Sequence, residues 1–313
     1  MEDTITITMN SKSKEKEKKS KSLWAHAFDS LKKNRMAMAS LSIVVLYILI
    51  AFLSFTGLIG GEWAKEIGPA YDSPFWVKWM SGQAASFSIE NLFGTDILGR
   101  SVFYKMIKGT EVAMLVGFAT GLVTMVIGVI LGAIAGYFGG KVDEIIVWFY
   151  TTFSSIPGIM LLMAITFILG KGIIAVFLAL GLTSWVSLCR LIRADVIRHK
   201  NREYVHAAYS VGASHSRRLF LHILPNVFHL VIINFSLTFQ TAIKSEVILS
   251  YLGLGVQDRP SWGIMIDDAK LELARGVWWQ LLAATAAMFV IVLAFNILGD
   301  ALRDALDPKL KGK

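Results

Sequence analysis

The polar side chains of this chain that could act on another molecule gather in one stretch. It runs Arg202-Glu203-Tyr204-Val205-His206-Ala207-Ala208-Tyr209-Ser210-Val211-Gly212 and continues to Ile223-Leu224-Pro225. Read as a helix, Tyr204, Ala207, Ala208 and Val211 fall at i, i+3, i+4 and i+7, one apolar stripe with small residues at its centre. Gly212 then permits a reversal of the chain, and a second short helix carries Arg217 and Arg218 before apolar sequence resumes at Leu224-Pro225. The chemistry this suits is docking: a helix with small residues can seat closely in a groove of another protein. The same periodicity suits an amphipathic helix resting on lipid, and spacing alone leaves both readings open.

Covalent chemistry has no such candidate. No G-x-x-x-x-G-K-[ST] phosphate loop occurs, and Gly170-Lys171-Gly172 reads as a tight turn. Gly253-Leu254-Gly255 lacks the third glycine and the preceding strand of a dinucleotide fingerprint. The six histidines stand without metal-ligand spacing, H-E-x-x-H is absent, and no Ser/His/Asp set can be assembled. Catalytic residues, resident cofactor and metal are therefore expected to be none. If the chain moves a solute uphill, a partner or an ion gradient must supply the energy.

The elements that position the polar stretch are apolar. Hydrophobic residues make up 55% of 313 residues and charged residues only 17%, against about a quarter charged in soluble domains. A membrane-spanning helix needs ~20 apolar residues, and six segments qualify: Met36–Ile59, Val112–Phe138, Ile145–Leu169, Ile173–Leu191, Val227–Tyr251 and Trp278–Leu298. The fold class expected is all-α, a polytopic membrane protein with six transmembrane helices. The net charge of +8 is concentrated before the first span and between the fourth and fifth, where Arg193, Arg198, Lys200, Arg202, Arg217 and Arg218 face only Asp195 and Glu203. Such Lys/Arg bias marks the cytoplasmic side, which puts both termini and this loop inside. The basic tail is expected to lie near anionic lipid headgroups rather than on nucleic acid. Cys189 is the sole cysteine, so no intrachain disulfide is expected. The first apolar run starts after residue 35 and is too long for a cleavable signal, so it is expected to be a retained anchor.

Five parts follow: a Lys/Ser/Glu-rich tail at 1–22, an amphipathic helix (Leu23, Ala27, Phe28, Leu31) with the first span at 23–60, and an outer segment at 61–109. A core at 110–303 contains the loop at 198–222, and a tail at 304–313 closes the chain. Within the core, Gly128, Gly132 and Gly136 share one face of the second span, which allows close helix packing. Pro157 falls mid-way along the third span, after Thr151, Thr152, Ser154 and Ser155, and is expected to bend it. Pro225 stands near the start of the fifth span, where a missing N–H costs little. Lys244 and Glu246 lie near its outer boundary. Lys244 can snorkel into headgroups. Glu246 can either face a wet passage or make a structural hydrogen bond; with Pro157 these two are the candidates for a passage or outer gate.

Ala207-Ala208, then Gly212, then Leu224-Pro225 twelve residues further on resemble the E-A-A-x3-G-x9-I-x-L-P loop of permease subunits of bacterial ABC importers. Phe93-Gly94-Thr95-Asp96 with Gly99-Arg100, Ala135-Gly136-Tyr137-Phe138-Gly139-Gly140 with Asp143, and Glu246 with Leu249-Ser250-Tyr251-Leu252-Gly253-Leu254-Gly255 narrow the likeness. So do Pro260-Ser261-Trp262-Gly263 and the stretch from Gly299-Asp300 to Asp307-Pro308. Together, over about residues 23–310, they resemble the second (C-type) permease of oligopeptide, dipeptide and nickel importers. The resemblance implies the type I importer architecture in a bacterial inner membrane and a second homologous permease around a shared passage. It also implies two ATP-binding cassette subunits carrying ATP and magnesium, and an extracytoplasmic solute-binding protein. Glu203, His206, Ala207, Ala208, Gly212, Ala213 and Ser214 would face the ATPase, with Leu224 and Pro225 at the loop exit. The solute implied is a dipeptide or oligopeptide, with nickel or another small solute as the alternative. An ion-coupled secondary transporter is the reading from a different class. Two departures stand out: His206 occupies the place of the family's glutamate, and Trp148 and Thr151 fall where an Arg and an Asp often precede the third-span proline.

Overall fold

The computed structural model describes residues 31–84 and 86–306. The expected basic tail, most of the amphipathic helix before Leu31, and the end of the C-terminal tail lie outside these residues.

Among the described residues five helices are long and apolar enough to cross a membrane, and one bent pair can make a sixth crossing. Helix α1 (Arg35–Phe55) opens on an Asn34 cap whose side-chain oxygen accepts from the Met36 and Ala37 amides at 3.0 and 3.2 Å. A short α2 (Phe75–Met80) lies in the connecting segment. Helix α3 (Val102–Phe138) has 37 residues, so at 1.5 Å per residue it is ~55 Å long and outreaches a ~30 Å hydrocarbon core. After the positive-φ pair Gly139-Gly140, the chain continues through α4 (Gly140–Ser154), α5 (Gly158–Leu169) and α6 (Ile173–Lys200). Helix α7 (Glu203–Ser210) is followed by α8 (His215–Arg217), a π-helical turn at Arg218–Ile223, and α9 (Leu224–Tyr251). The chain ends with α10 (Trp262–Leu273) and α11 (Trp279–Leu306). Among the described residues there are no strands, only two isolated bridges.

The broadest helix contact is α3 on α6. The two run in parallel, since Val123 meets Gly181, Gly128 meets Leu188, Gly132 meets Cys189 and Gly136 meets Val196. The expected small-residue row is the closest seam of this contact. A Cβ placed on Gly132 would stand 2.6 Å from the Cys189 carbonyl oxygen, and one on Gly136 2.7 Å from that of Arg193. Helix α9 runs antiparallel to α3 and fills its other glycine gaps with rings: Phe239 lies against Gly117 and Phe235 against Gly121. Phe239 also stacks on Phe295 of α11 at 3.9 Å between centroids, and Tyr47 of α1 donates to the Ala287 carbonyl at 2.9 Å.

One expectation about proline needs correction. Pro157 does not merely bend the third span; it breaks it into α4 and α5, which meet at 91°. Proline removes an amide donor, clashes with the carbonyl four residues back and drives its predecessor out of helical geometry. Little else opposes the break, because α4 buries only Tyr150 and α5 only Leu162 and Thr166. Since α3 and α6 are parallel, the bent pair must carry the chain back across the bundle between them. Pro225 stands at the second residue of α9, near the start of its helix as expected, with a π turn ahead of it. His215–Tyr251 is one apolar run of 37 helical residues, and the second short helix of the loop is its first turn. The π turn widens the helix just ahead of the ring, with the Leu224 amide reaching the Leu219 carbonyl, and Asn226 Nδ2 donates to the His222 carbonyl at 2.6 Å.

If the α3–α6 seam depends on bare backbone, Gly132→Leu forces a shift against a carbonyl that has no rotamer to change, an overpacking cost of about 1–3 kcal/mol. Gly158→Ala meets no atom within 4 Å. Thermal unfolding in detergent is expected to show a lowered midpoint for the first and an unchanged one for the second.

Candidate functional site

The predicted docking stretch forms an open concavity at the end of the bundle where α3 and α6 finish. Tyr204, Ala207, Ala208, Val211, Gly212, Ala213, Arg217 and His222 line a groove of about 530 Å³. Helix α7 is attached by the face opposite its open one. Val205 and Ala208 are buried, and Val205 packs with Leu219, Ile223, Val227 and Val196. Glu203, His206 and Ala207 are exposed, and Val211 is 85% exposed. Ala208 therefore sits at the floor of the groove, and the Ala207 side leaves room for a visitor. Gly212 turns the chain at φ +84°, a conformation that side chains disfavour. The Ser214 hydroxyl caps α8, accepting from the Arg217 amide at 3.3 Å. Leu224 and Pro225, expected at the loop exit, are the first two residues of α9, directly after the π turn.

This groove is fastened to the spans by contacts that spacing did not reveal. Tyr137 Oη, near the end of α3, lies 3.1 Å from His215 Nδ1, and Arg218 Nη2 donates to the same nitrogen at 3.1 Å. Arginine can only donate, so Nδ1 presents its lone pair. The Arg218 guanidinium also lies over Tyr209 at 4.8 Å, joining α7 to the π turn. Beside them, Arg193 of α6 grips Asp143 of α4 with two hydrogen bonds of 2.5 and 2.6 Å. Asp143 and Tyr137 belong to motifs that carry the family resemblance, but nothing in the residues alone named their partners.

At the opposite end a second polar cluster closes the bundle. Lys105 is buried and reaches Asp96 at 3.0 Å, Gln280 at 2.8 Å and Asp268 at 3.5 Å. Asp96 also accepts from Arg100 Nε at 2.8 Å. Burial pushes the Asp96 carboxyl up, but the Lys105 charge and the Arg100 donors outweigh it and hold the group below its ordinary value. Removing one member of such a buried pair costs about 3–5 kcal/mol. Trp262 and Trp279 anchor the cluster through their indole N–H groups, to the Met106 and Thr95 carbonyls. Lys105, Glu272 and Gln280 escaped sequence reasoning because their charges and amides fall in segments read as outer loop or as apolar span.

The three passage candidates separate. Glu246 is buried and accepts from Ser250 Oγ at 2.7 Å. The structural alternative thus describes it, and its position on a passage wall is corrected. Lys244 and Pro157 are exposed. Close to both lies a cavity of about 230 Å³ between α5, α6 and α9.

An all-α bundle with five helices long and apolar enough to cross a membrane, among the described residues, is the build of a polytopic membrane protein. The chain belongs to the family of binding-protein-dependent transport system inner membrane components, whose family model matches residues 128–312. A model for the N-terminal TM domain of oligopeptide transport permease C matches residues 22–61. The chain is 35% identical over 290 residues to the oligopeptide transport system permease protein OppC of Bacillus subtilis, covering 92% of this chain and 90% of the relative. It is 35% identical over 288 residues to the dipeptide transport system permease protein DppC of the same organism, covering 91% and 85%. With the glutathione transport system permease protein GsiD of Shigella dysenteriae it shares 33% identity over 290 residues, covering 92% and 91%.

Glu272 of α10 gives the second cluster a pH signature. Its side chain is 2% exposed and neither carboxylate oxygen makes a hydrogen bond of normal length. Burial pushes its pKa up to about 7. An acid whose folded value lies above its unfolded one stabilises the fold least once it is ionised. Its destabilising effect is absent below the unfolded value, grows as pH rises, and is complete above about 7. Glu272→Gln is expected to raise the unfolding midpoint at pH 8, by about 1–3 kcal/mol of stability, and to leave it unchanged near pH 4. Thermal melts across that range check this.

Proposed function

We propose that this chain is one of two homologous permease subunits of an ATP-driven importer in a bacterial cytoplasmic membrane, taking up dipeptides or oligopeptides delivered by an extracytoplasmic binding protein. The named relatives move oligopeptides, dipeptides and glutathione, which supports a peptide as the solute. The Lys/Arg excess around Arg193–Arg218 supports placing the groove, and both termini, in the cytoplasm. Two ATP-binding cassette subunits would then carry ATP and magnesium, and each permease would seat one of them.

The observation that carries this reading is the groove's construction. Its open face is small and apolar at Ala207, Gly212 and Ala213, so a partner helix or loop can approach closely. Its other face is locked to α3 through Tyr137 and His215, and it continues without interruption into α9. A push on the groove therefore reaches spanning helices directly. His206 stands exposed beside the groove, where it offers a ring in place of the carboxylate of the family pattern. Ser214 acts as a helix cap, and its contribution is to hold the groove's shape.

The test uses Ala207, which is exposed and outside the buried face. Ala207→Trp fills the groove while leaving Val205 and Ala208 in place. In the reconstituted importer it is expected to lower ATP-driven peptide uptake and retention of the ATPase subunits at least tenfold, with an unchanged unfolding midpoint. Uptake and retention equal to those of the parent chain would overturn the assignment.

A further inference from the structure

Helix α9 leaves one stripe uncovered. Leu237, Thr241, Lys244, Ile248 and Tyr251 follow one another at spacings of three and four, and all are exposed. The level of Lys244 in the bundle follows from the antiparallel pairs Gly117–Phe239 and Gly121–Phe235. Continued by one helical turn, they bring it beside Val112, where the uncharged run of α3 begins. Its ammonium has no carboxylate among the described residues. Glu246, the only acid on α9, is buried on another face and held by Ser250. The nearest acid on α3, Glu111, is occupied by Lys108, Arg259 and Ser54.

The residue next to Lys244 in the chain opens on a cavity. Ser245, its neighbour, lines the 230 Å³ cavity with Ile248, and Thr183 and Ser184 of α6 supply further hydroxyls. The fourth side is Gly158 and Ile159, where the break after Pro157 turns α5 away and opens the space. The Ser245 hydroxyl makes no hydrogen bond among the described residues, whereas that of Thr241 is committed to the Leu237 carbonyl at 2.9 Å. The Thr183 hydroxyl is committed to the Ala179 carbonyl at 2.9 Å. That leaves those of Ser184 and Ser245 open on the cavity, with the unpaired cation of Lys244 next to Ser245 in the chain; such a set can meet an anion of modest size. An ammonium carries three donors, and a charge-assisted hydrogen bond is stronger than a neutral one.

We propose that Lys244, with the adjacent Ser245 hydroxyl and the cavity opened by the Pro157 break, is a carboxylate-binding station on the passage wall, taking the terminal carboxylate of the transported peptide. The inference rests on the peptide-importer reading. One exposed lysine at the apolar margin holds the carboxylate loosely enough to release it, as passage demands. It adds to the permease a preference for free acids, separate from whatever the binding protein selects.

Two measurements on the reconstituted importer decide it. Trialanine uptake is expected to follow charge at position 244: near parental for Lys244→Arg, about tenfold lower for Lys244→Gln, and lower again for Lys244→Glu. Since Cys189 is fully buried, Lys244→Cys supplies the accessible thiol. It is expected to react with a water-soluble anionic methanethiosulfonate, and to react more slowly during trialanine transport. Gln uptake equal to parental, or an unreactive thiol, would assign Lys244 to lipid headgroups and overturn the proposal. Loss of the second permease from the Gln and Glu variants would assign it to a subunit contact instead, with the same consequence. A parental complex that takes up no trialanine with ATP counts against the peptide-importer reading; the thiol's reactivity still tests whether the wall is wet.

Discussion

The architecture depends on two helix backbones coming closer than side chains allow. Along Gly128, Gly132 and Gly136, α3 lies against the carbonyls and β-carbons of α6 with no room for a methyl group. In a bilayer the lipid tails are as apolar as leucine, so helices associate through packing rather than through a gain from leaving water. A glycine seam gives the densest packing available. It also fixes the two helices in parallel, and that forces α4 and α5 to bring the chain back across the bundle. The seam ends where Arg193 and Val196 meet Gly136, one turn from the residues that hold the docking groove.

From that end the arrangement is a sequence of fastenings. Tyr137 closes the last turn of α3 onto His215, Arg218 bridges His215 and Tyr209, and Arg193 binds α4 through Asp143. The π turn lets Pro225 sit inside a continuous helix, so the groove and α9 form one lever. The opposite end is fixed in another way, by a buried lysine shared among carboxylates and an amide. Between these two ends lies the α4–α5 pair, which is bent and buries little of itself. Beside it the Ser245 hydroxyl stands open on a cavity lined by α5, α6 and α9.

Much of this was legible in the residues. The spans were readable from uninterrupted apolar runs. The packing role of the three glycines followed from their spacing of four, and the turn at Gly212 from the need for a positive φ. What was not legible depended on partners distant in sequence. A proline signals disturbed helix geometry, but its consequence depends on the neighbours. At Pro157 few contacts resist and the helix breaks, whereas Pro225 falls at the start of α9, where a missing N–H costs little. Glu246 could not be assigned between passage and structural bond: Ser250 lies one helical turn away on α9, but the Ser261 hydroxyl that joins Ser250 arrives only once the segment ahead of α10 folds back. Tyr137 and His215 stand 78 residues apart, and no local pattern links them. The E-A-A-like spacing identified the groove, but its direction of exposure, Ala207 outward and Ala208 at the floor, came from packing.

The central claim is that the docking groove moves with the spanning helices as one body. The most direct measurement is the distance between spin labels at Val211→Cys, on the groove rim, and Ile130→Cys, on the exposed face of α3, in the complete importer with and without a bound ATP analogue. Rigid coupling predicts a distance constant to within ~2 Å while the separation between the two permeases changes. A change in the Val211–Ile130 distance larger than this would mean that the groove pivots on its own, and would contradict the account.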